Sequence, residues 1–153
     1  MTTVAGFAIA PAGASHASVL AALHADAFPD GWSAEEFVRM LAMPGAAASI
    51  ATDGAGEPLG MIVWRHAGGE AEVLTIAVRA DRRRAGAGRA LIEAAVADLP
   101  APVTEIFIEV AEPNVAARAL YRAAGFETVG RRPAYYRTTA GHDDALIMRR
   151  QVR

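Results

Sequence analysis

Residues 74–92, LTIAVRADRRRAGAGRALI, decide the fold. Four of the first five are apolar and three are β-branched, the composition of a buried strand. The last positions open a helix, because Leu91, Ile92, Ala95, Val96 and Leu99 recur at helical spacing on one broad face. Between them lie Arg79, Arg82, Arg83, Arg84 and Arg89, interrupted by the acid Asp81, and two glycines, Gly86 and Gly88. Glycine permits positive φ and close backbone approach, so successive N–H groups can point at one anion while the helix dipole adds attraction. Arginine heads would supply charge-assisted hydrogen bonds. Taken by itself, the turn is an anion cradle or a solvated Arg loop.

Working outward, Pro100 and Pro102 close the helix, and residues 104–110 form a second strand with Ile106, Ile108 and Val110 on one face. Strand, helix, strand in this order predicts parallel pairing through a crossover. Residues 114–124 predict a short helix stopped by Gly125, with closing strands at 126–129 and 146–149. Upstream, residues 7–10 predict a strand and 15–27 a helix. Ser33 with Glu36 forms a capping box for a helix carrying Phe37, Met40 and Leu41. Residues 49–52 and 59–65 read as a hairpin, followed by a strand over 72–78. The expected architecture is α/β, a mostly antiparallel sheet with one βαβ unit at its centre.

A chain of 153 residues with 53% apolar side chains fits a single domain spanning 1–153. No run of about 18 apolar residues is present and the N-terminus lacks a cationic leader, so a soluble, cytoplasmic protein with no membrane contact is expected. With neither cysteine nor lysine, disulfides, thiolate chemistry and Schiff bases are excluded. A formal net charge of −2 argues against broad nucleic-acid binding. His16, His24, His66 and His142 have no paired spacing for metal, so no metal is expected. A dinucleotide turn is the rival reading of Gly86-x-Gly88 with Glu105 or Glu109 downstream. Against it, Leu91 stands where a third glycine belongs, and seven residues separate Val78 from Gly86.

Together, residues 74–78, the turn Arg83-x-x-Gly86-x-Gly88, Ile108-Glu109-Val110, Asn114, and Leu120-Tyr121 with Gly125-Phe126 resemble the GCN5-related N-acetyltransferase (GNAT) family. Within it the chain is most similar to the bacterial ribosomal-protein-alanine N-acetyltransferases, over residues 59–149. The resemblance implies the GNAT fold, with helices on both sheet faces, and acetyl-coenzyme A as cosubstrate. It implies that Arg83, Arg84, Ala85, Gly86, Ala87, Gly88 and Arg89 hold the pyrophosphate. Ile76, Ala77 and Val78 would bond the pantetheine as a pseudo-strand, and Asn114 would assist at the thiol end.

Acetyl transfer to an amine needs a base and a proton for the departing thiolate. Glu109 ends a central parallel strand, where such sheets place ligands, and Glu105 shares its face as the rival carboxylate. The resemblance assigns the base to Glu109 and the acid to Tyr121. Its helical position alone marks Tyr121 as a core tyrosine. The same resemblance sets the acceptor, a protein or peptide N-terminus, between Phe28 and the adjacent Tyr135 and Tyr136. Ala111 and Pro113 stand where the family often carries Arg and Ser, which bears on the acceptor. An N-terminal amine beginning with Ala or Ser leads. A lysine side chain, a small amine, or non-catalytic sensing of acetyl-coenzyme A are the alternatives.

Overall fold

The periodicities close into one mixed sheet in the computed structural model, which describes residues 2–4, 6–139 and 141–152. The elements run β1 (Thr2–Val4), β2 (Phe7–Ala12), α1 (Ala17–Ala27), α2 (Ala34–Leu41), β3 (Ala46–Thr52), β4 (Pro58–Ala67), β5 (Glu70–Val78), α3 (Ala87–Ala97), β6 (Glu105–Ala111), α4 (Val115–Ala123), β7 (Glu127–Thr138) and β8 (Gly141–Gln151). The strand order is β1-β2-β3-β4-β5-β6-β8-β7, antiparallel except for β5 with β6. The capping box forms as expected, with Glu36 N–H donating to Ser33 Oγ at 3.2 Å.

Both faces of the sheet are covered. Ile62 and Trp64 of β4 face a core shared with Leu91 and Ile92 of α3 and Tyr121 of α4. Met61 and Val63 face the opposite core with Leu20 of α1 and Phe37 of α2. Each fully buried Leu or Ile contributes roughly 1.5–3 kcal/mol, enough for these two layers to fix the register of β4.

Strict alternation fails in β5, and the failure shapes the site. Val63 pairs with Thr75 but Trp64 pairs with Val73, so Leu74 is an extra, bulged residue. A bulge sharpens local twist and shifts which residues share a face. Ala71 and Val73 face the α3 side before it, and Ile76 and Val78 face that same side after it. Pairing with β6 covers Glu70↔Glu105, Ala71↔Ile106 and Glu72↔Phe107, and stops just before the bulge. Beyond Glu72 the two parallel strands part, leaving a cleft between them that opens toward their C-terminal ends.

Several boundaries differ from expectation. α3 begins at Ala87, before Gly88, and ends at Ala97, short of Pro100. The closing strands are far longer than residues 126–129 and 146–149, and β1 was not anticipated. Nearly every side chain of β7 is exposed, so it carries no alternating apolar signal. Among the described residues no helix is long and apolar enough to cross a membrane.

Candidate active site

The loop after β5 is tied down by its own side chains. Asp26 Oδ2 accepts from Ala80 N–H at 2.8 Å, Arg82 pairs with Asp53 at 2.9 Å, and Arg79 pairs with Asp81 at 2.9 Å. Arg83 Nε donates to the Val78 carbonyl at 3.1 Å. Arg79 and Arg82 are therefore structural cations. Arg84 and Arg89 are exposed and form no ion pair among the described residues.

Two residues of this loop are left-handed, Arg84 at φ 65° and Gly86 at φ 97°. An L residue such as Arg84 held there costs of order 1 kcal/mol, a strain that the anchored loop sustains. Of the two glycines in the turn, Gly86 alone uses the left-handed freedom that glycine permits. Gly88 is helical, and a Cβ there would lie 2.9 Å from Leu120 Cδ2, so its smallness serves the approach of α4 to α3. The first bond of α3 runs from Ala90 N–H to the Gly86 carbonyl at 3.0 Å. Among the described residues, the six N–H groups of Arg84, Ala85, Gly86, Ala87, Gly88 and Arg89 have no protein acceptor. That array, at the positive end of a helix dipole, is an anion cradle.

The cradle borders the cleft between β5 and β6. Past the bulge, Ile76, Ala77 and Val78 pair with β4 on one side and, among the described residues, have no strand partner on the other. The same divergence separates the two rival carboxylates. Glu105 sits at the closed end, opposite Glu70 and 3.7 Å from Arg149. Glu109 lies at the open end, its side chain 30% exposed and 3.1 Å from Arg132 Nη2.

Tyr121, on α4, is buried, its ring 6.2 Å from Phe126, and its hydroxyl has no protein hydrogen-bond partner among the described residues. Burial pushes this phenol well above the usual tyrosine range, and Tyr136 adds to the shift. Tyr136 is raised as well, first by burial and then by the negative charge of Glu109. Tyr136 thus feels the charge of Glu109 and in turn raises Tyr121. Asn114 caps α4, its Oδ1 accepting from Ala117 N–H at 3.2 Å, so the fold itself uses that side chain.

Beside the end of β6 lies a charged hub that the sequence did not reveal. Arg131 bridges Glu112 at 2.6 Å and Asp144 at 2.7 Å, and Asp144 also accepts from Ala134 N–H at 2.8 Å. The guanidinium, with the Ala134 N–H at Asp144, holds both carboxyls below the usual carboxylate range. The hub joins the β6–α4 connection to the β7–β8 hairpin.

Of the expected acceptor residues, Tyr135 and Tyr136 stand edge to face at 5.1 Å, with Tyr135 exposed. Phe28 is 40% exposed and stacks on His24 at 4.4 Å. His24 also stacks on Trp32 at 4.6 Å, and its Nδ1 accepts from Trp32 N–H at 3.0 Å. No ring contact or hydrogen bond joins Phe28 to the two tyrosines among the described residues. Arg131 and Arg132 escaped the sequence reading, since neither lies in a local motif, and His24 entered it only as a metal candidate.

The profile of the acetyltransferase (GNAT) family matches residues 18–126. The [ribosomal protein bS18]-alanine N-acetyltransferase of Escherichia coli (strain K12) is 44% identical over 80 residues, 52% of this chain and 54% of that protein. The N-alpha-acetyltransferase RimI of Mycobacterium tuberculosis is 41% identical over 81 residues, 53% of this chain and 49% of that protein. The chain thus spans about half the length of the curated relatives it matches. Among solved structures, the ribosomal-protein-S18-alanine N-acetyltransferase from Escherichia coli superposes with a TM-score of 0.87 at 28% identity, covering 95% of this chain and 94% of that one. Arabidopsis thaliana NAA60 in complex with acetyl-CoA shares the fold, with a TM-score of 0.79 at 21% identity, covering 95% and 98%. With the split sheet, the cradle and the matched profile in agreement, this chain belongs to the acetyltransferase (GNAT) family.

Proposed function

We propose that the chain transfers the acetyl group of acetyl-CoA directly to the N-terminal α-amine of a protein, its acceptor being a ribosomal protein that begins with Ala or Ser. The observation that carries this reading is the row of six N–H groups, unpaired among the described residues, beside a cleft that has Glu109 at its open end. The residues present fit acetyl-CoA on the chemistry of the donor set. Residues 84–89 would hold the pyrophosphate, Arg84 and Arg89 would add charge, and Ile76, Ala77 and Val78 offer a free strand edge to the amide-bearing arm. Bound there, acetyl-CoA supplies the activated acyl group. The N-terminal acceptor is supported by the likeness to the Escherichia coli and Mycobacterium tuberculosis enzymes.

Glu109 then works as the base. An α-ammonium has a pKa of about 7.7–8.0, so a carboxylate at neutral pH draws its proton at modest cost, whereas a lysine at about 10.4 is harder. Tyr121 holds a proton at its hydroxyl and donates it to the departing thiolate, whose conjugate acid titrates near a thiol's 8.5. Because burial raises this phenol further, stepwise donation is uphill, and the proton must move in concert with thiolate departure. Neither step requires an acyl-enzyme.

The test follows thiol release from acetyl-CoA with two peptides, one offering a free N-terminal Ala, the other a blocked N-terminus and a lysine. Release with the first alone supports the proposal. Release with the second alone moves the acceptor to a lysine side chain. Tight acetyl-CoA binding with neither released would make the chain a sensor.

A further inference from the structure

Glu109 is already occupied. Arg132 Nη2 lies 3.1 Å from its Oε1, with 52% of the Arg132 side chain exposed. The same guanidinium stands 5.3 Å from the centroid of the Tyr135 ring, which steadies a cation at the mouth of the cleft. Backbone irregularity puts it there. Arg132 pairs with Ala145 and Tyr136 with Asp143, so Pro133, Ala134 and Tyr135 oppose Asp144 alone. Ala134, at φ 52°, donates its N–H to Asp144, and Arg131 is committed to Glu112 and Asp144. Of the adjacent pair Arg131 and Arg132, it is Arg132 that faces Glu109.

A base for an ammonium acceptor must receive that ammonium at the carboxylate it will use. We propose that the Arg132 guanidinium is a built-in competitor that keeps the acceptor's place on Glu109, so that an acceptor enters by exchanging its own positive charge for Arg132. This inference rests on Glu109 being the acceptor's base. The exchange replaces one ion pair with another and is easy for an α-ammonium. A neutral chain end has no charge to offer and leaves Arg132 where it is. An exposed pair of this kind alters an equilibrium about two- to fivefold.

The experiment measures binding of a hexapeptide with a free N-terminal Ala, and of its N-acetylated counterpart, to the protein loaded with coenzyme A. With Arg132→Gln the free-amine peptide should bind about two- to fivefold tighter than to wild type. Arg132→Lys, which keeps the cation, should bind it as wild type does, and the acetylated peptide should bind all three proteins alike. Unchanged or weaker binding of the free-amine peptide to Arg132→Gln, or an equal shift for both peptides, overturns the proposal. Failure of the wild-type protein to acetylate any amine from acetyl-CoA would instead remove the underlying reading, and this proposal with it.

Discussion

Substituting Gly86 tests the cradle at its weakest point. The residue sits at φ 97°, ψ 2°, and an added Cβ would meet nothing nearer than Phe7 Cε2 at 4.0 Å. The change is therefore one of backbone preference with no clash. An L residue held in that region costs about 1–3 kcal/mol, with a β-branched one toward the upper end. The loop has two responses. If it keeps its shape, the cost appears as lost stability and the cradle survives. If it relaxes, the N–H groups turn away and the strain must be met on binding, which weakens acetyl-CoA by about 5- to 150-fold. Stability loss and affinity loss should therefore sum to about 1–3 kcal/mol for Gly86→Ala and lie higher in that range for Gly86→Val. Calorimetric titration with acetyl-CoA, paired with urea melts, reads both quantities. Gly56→Ala is the control, since Gly56 has φ 82° and open space but lies in the β3–β4 turn. It should lose stability and keep its affinity. The reasoning fails if Gly86→Val changes neither quantity, or if Gly56→Ala weakens acetyl-CoA as much as Gly86→Ala does.

Tyr121→Phe removes a hydroxyl that makes no hydrogen bond among the described residues, so folding and acetyl-CoA affinity should hold while kcat falls about 100-fold or more. Equal turnover would exclude Tyr121 from the chemistry. His24 gives a pH dependence with a definite sign. Burial lowers its pKa below the ordinary value, against a smaller upward pull from Glu36. The unfolded chain therefore binds more protons than the folded one below about pH 6.5. Stability is fully present above that pH and declines as pH falls toward the folded-state value. Protonation also places a proton in competition with the Trp32 N–H at Nδ1. Urea midpoints at pH 7.5 and 5.5, with the His24 ring followed by NMR, should show the decline before the lowered carboxyls Asp53, Glu112 and Asp144 titrate. A His24 titration at or above the ordinary value would refute the assignment.

What could be read in advance divides along physical lines. The βαβ unit was legible because each of its parts has its own period: Ile106, Ile108 and Val110 alternate, while Leu91, Ile92 and Ala95 follow the helix, and all six are buried. The cradle was legible because Gly86 is a backbone requirement written as a residue type. Arg84, equally left-handed, was not, since nothing in an arginine announces positive φ. β7 was mostly missed for the opposite reason. It is an exposed edge with Gly130, Pro133 and three arginines, and its register comes from β8 rather than from its own pattern.

The rest of the candidate site was illegible because it is made by pairings across the sheet. Glu105 and Glu109 share a strand and a face, and the sequence favours Glu109 only by its place at the C-terminal end of that strand. What ranks them is Leu74, the extra residue in β5, because pairing with β6 ends just before it. Glu105 falls on the paired side and Glu109 on the open side. The pairing therefore ends at the bulge, leaves the edge of residues 76–78 unpaired with β6, and sets Glu109 rather than Glu105 beside the opening. The same bulge explains why Ile76 and Val78 face α3 when strict alternation from Val73 would turn them away. Deleting Leu74 would restore alternation and extend the parallel pairing, at the expense of the opening on which the proposed chemistry depends.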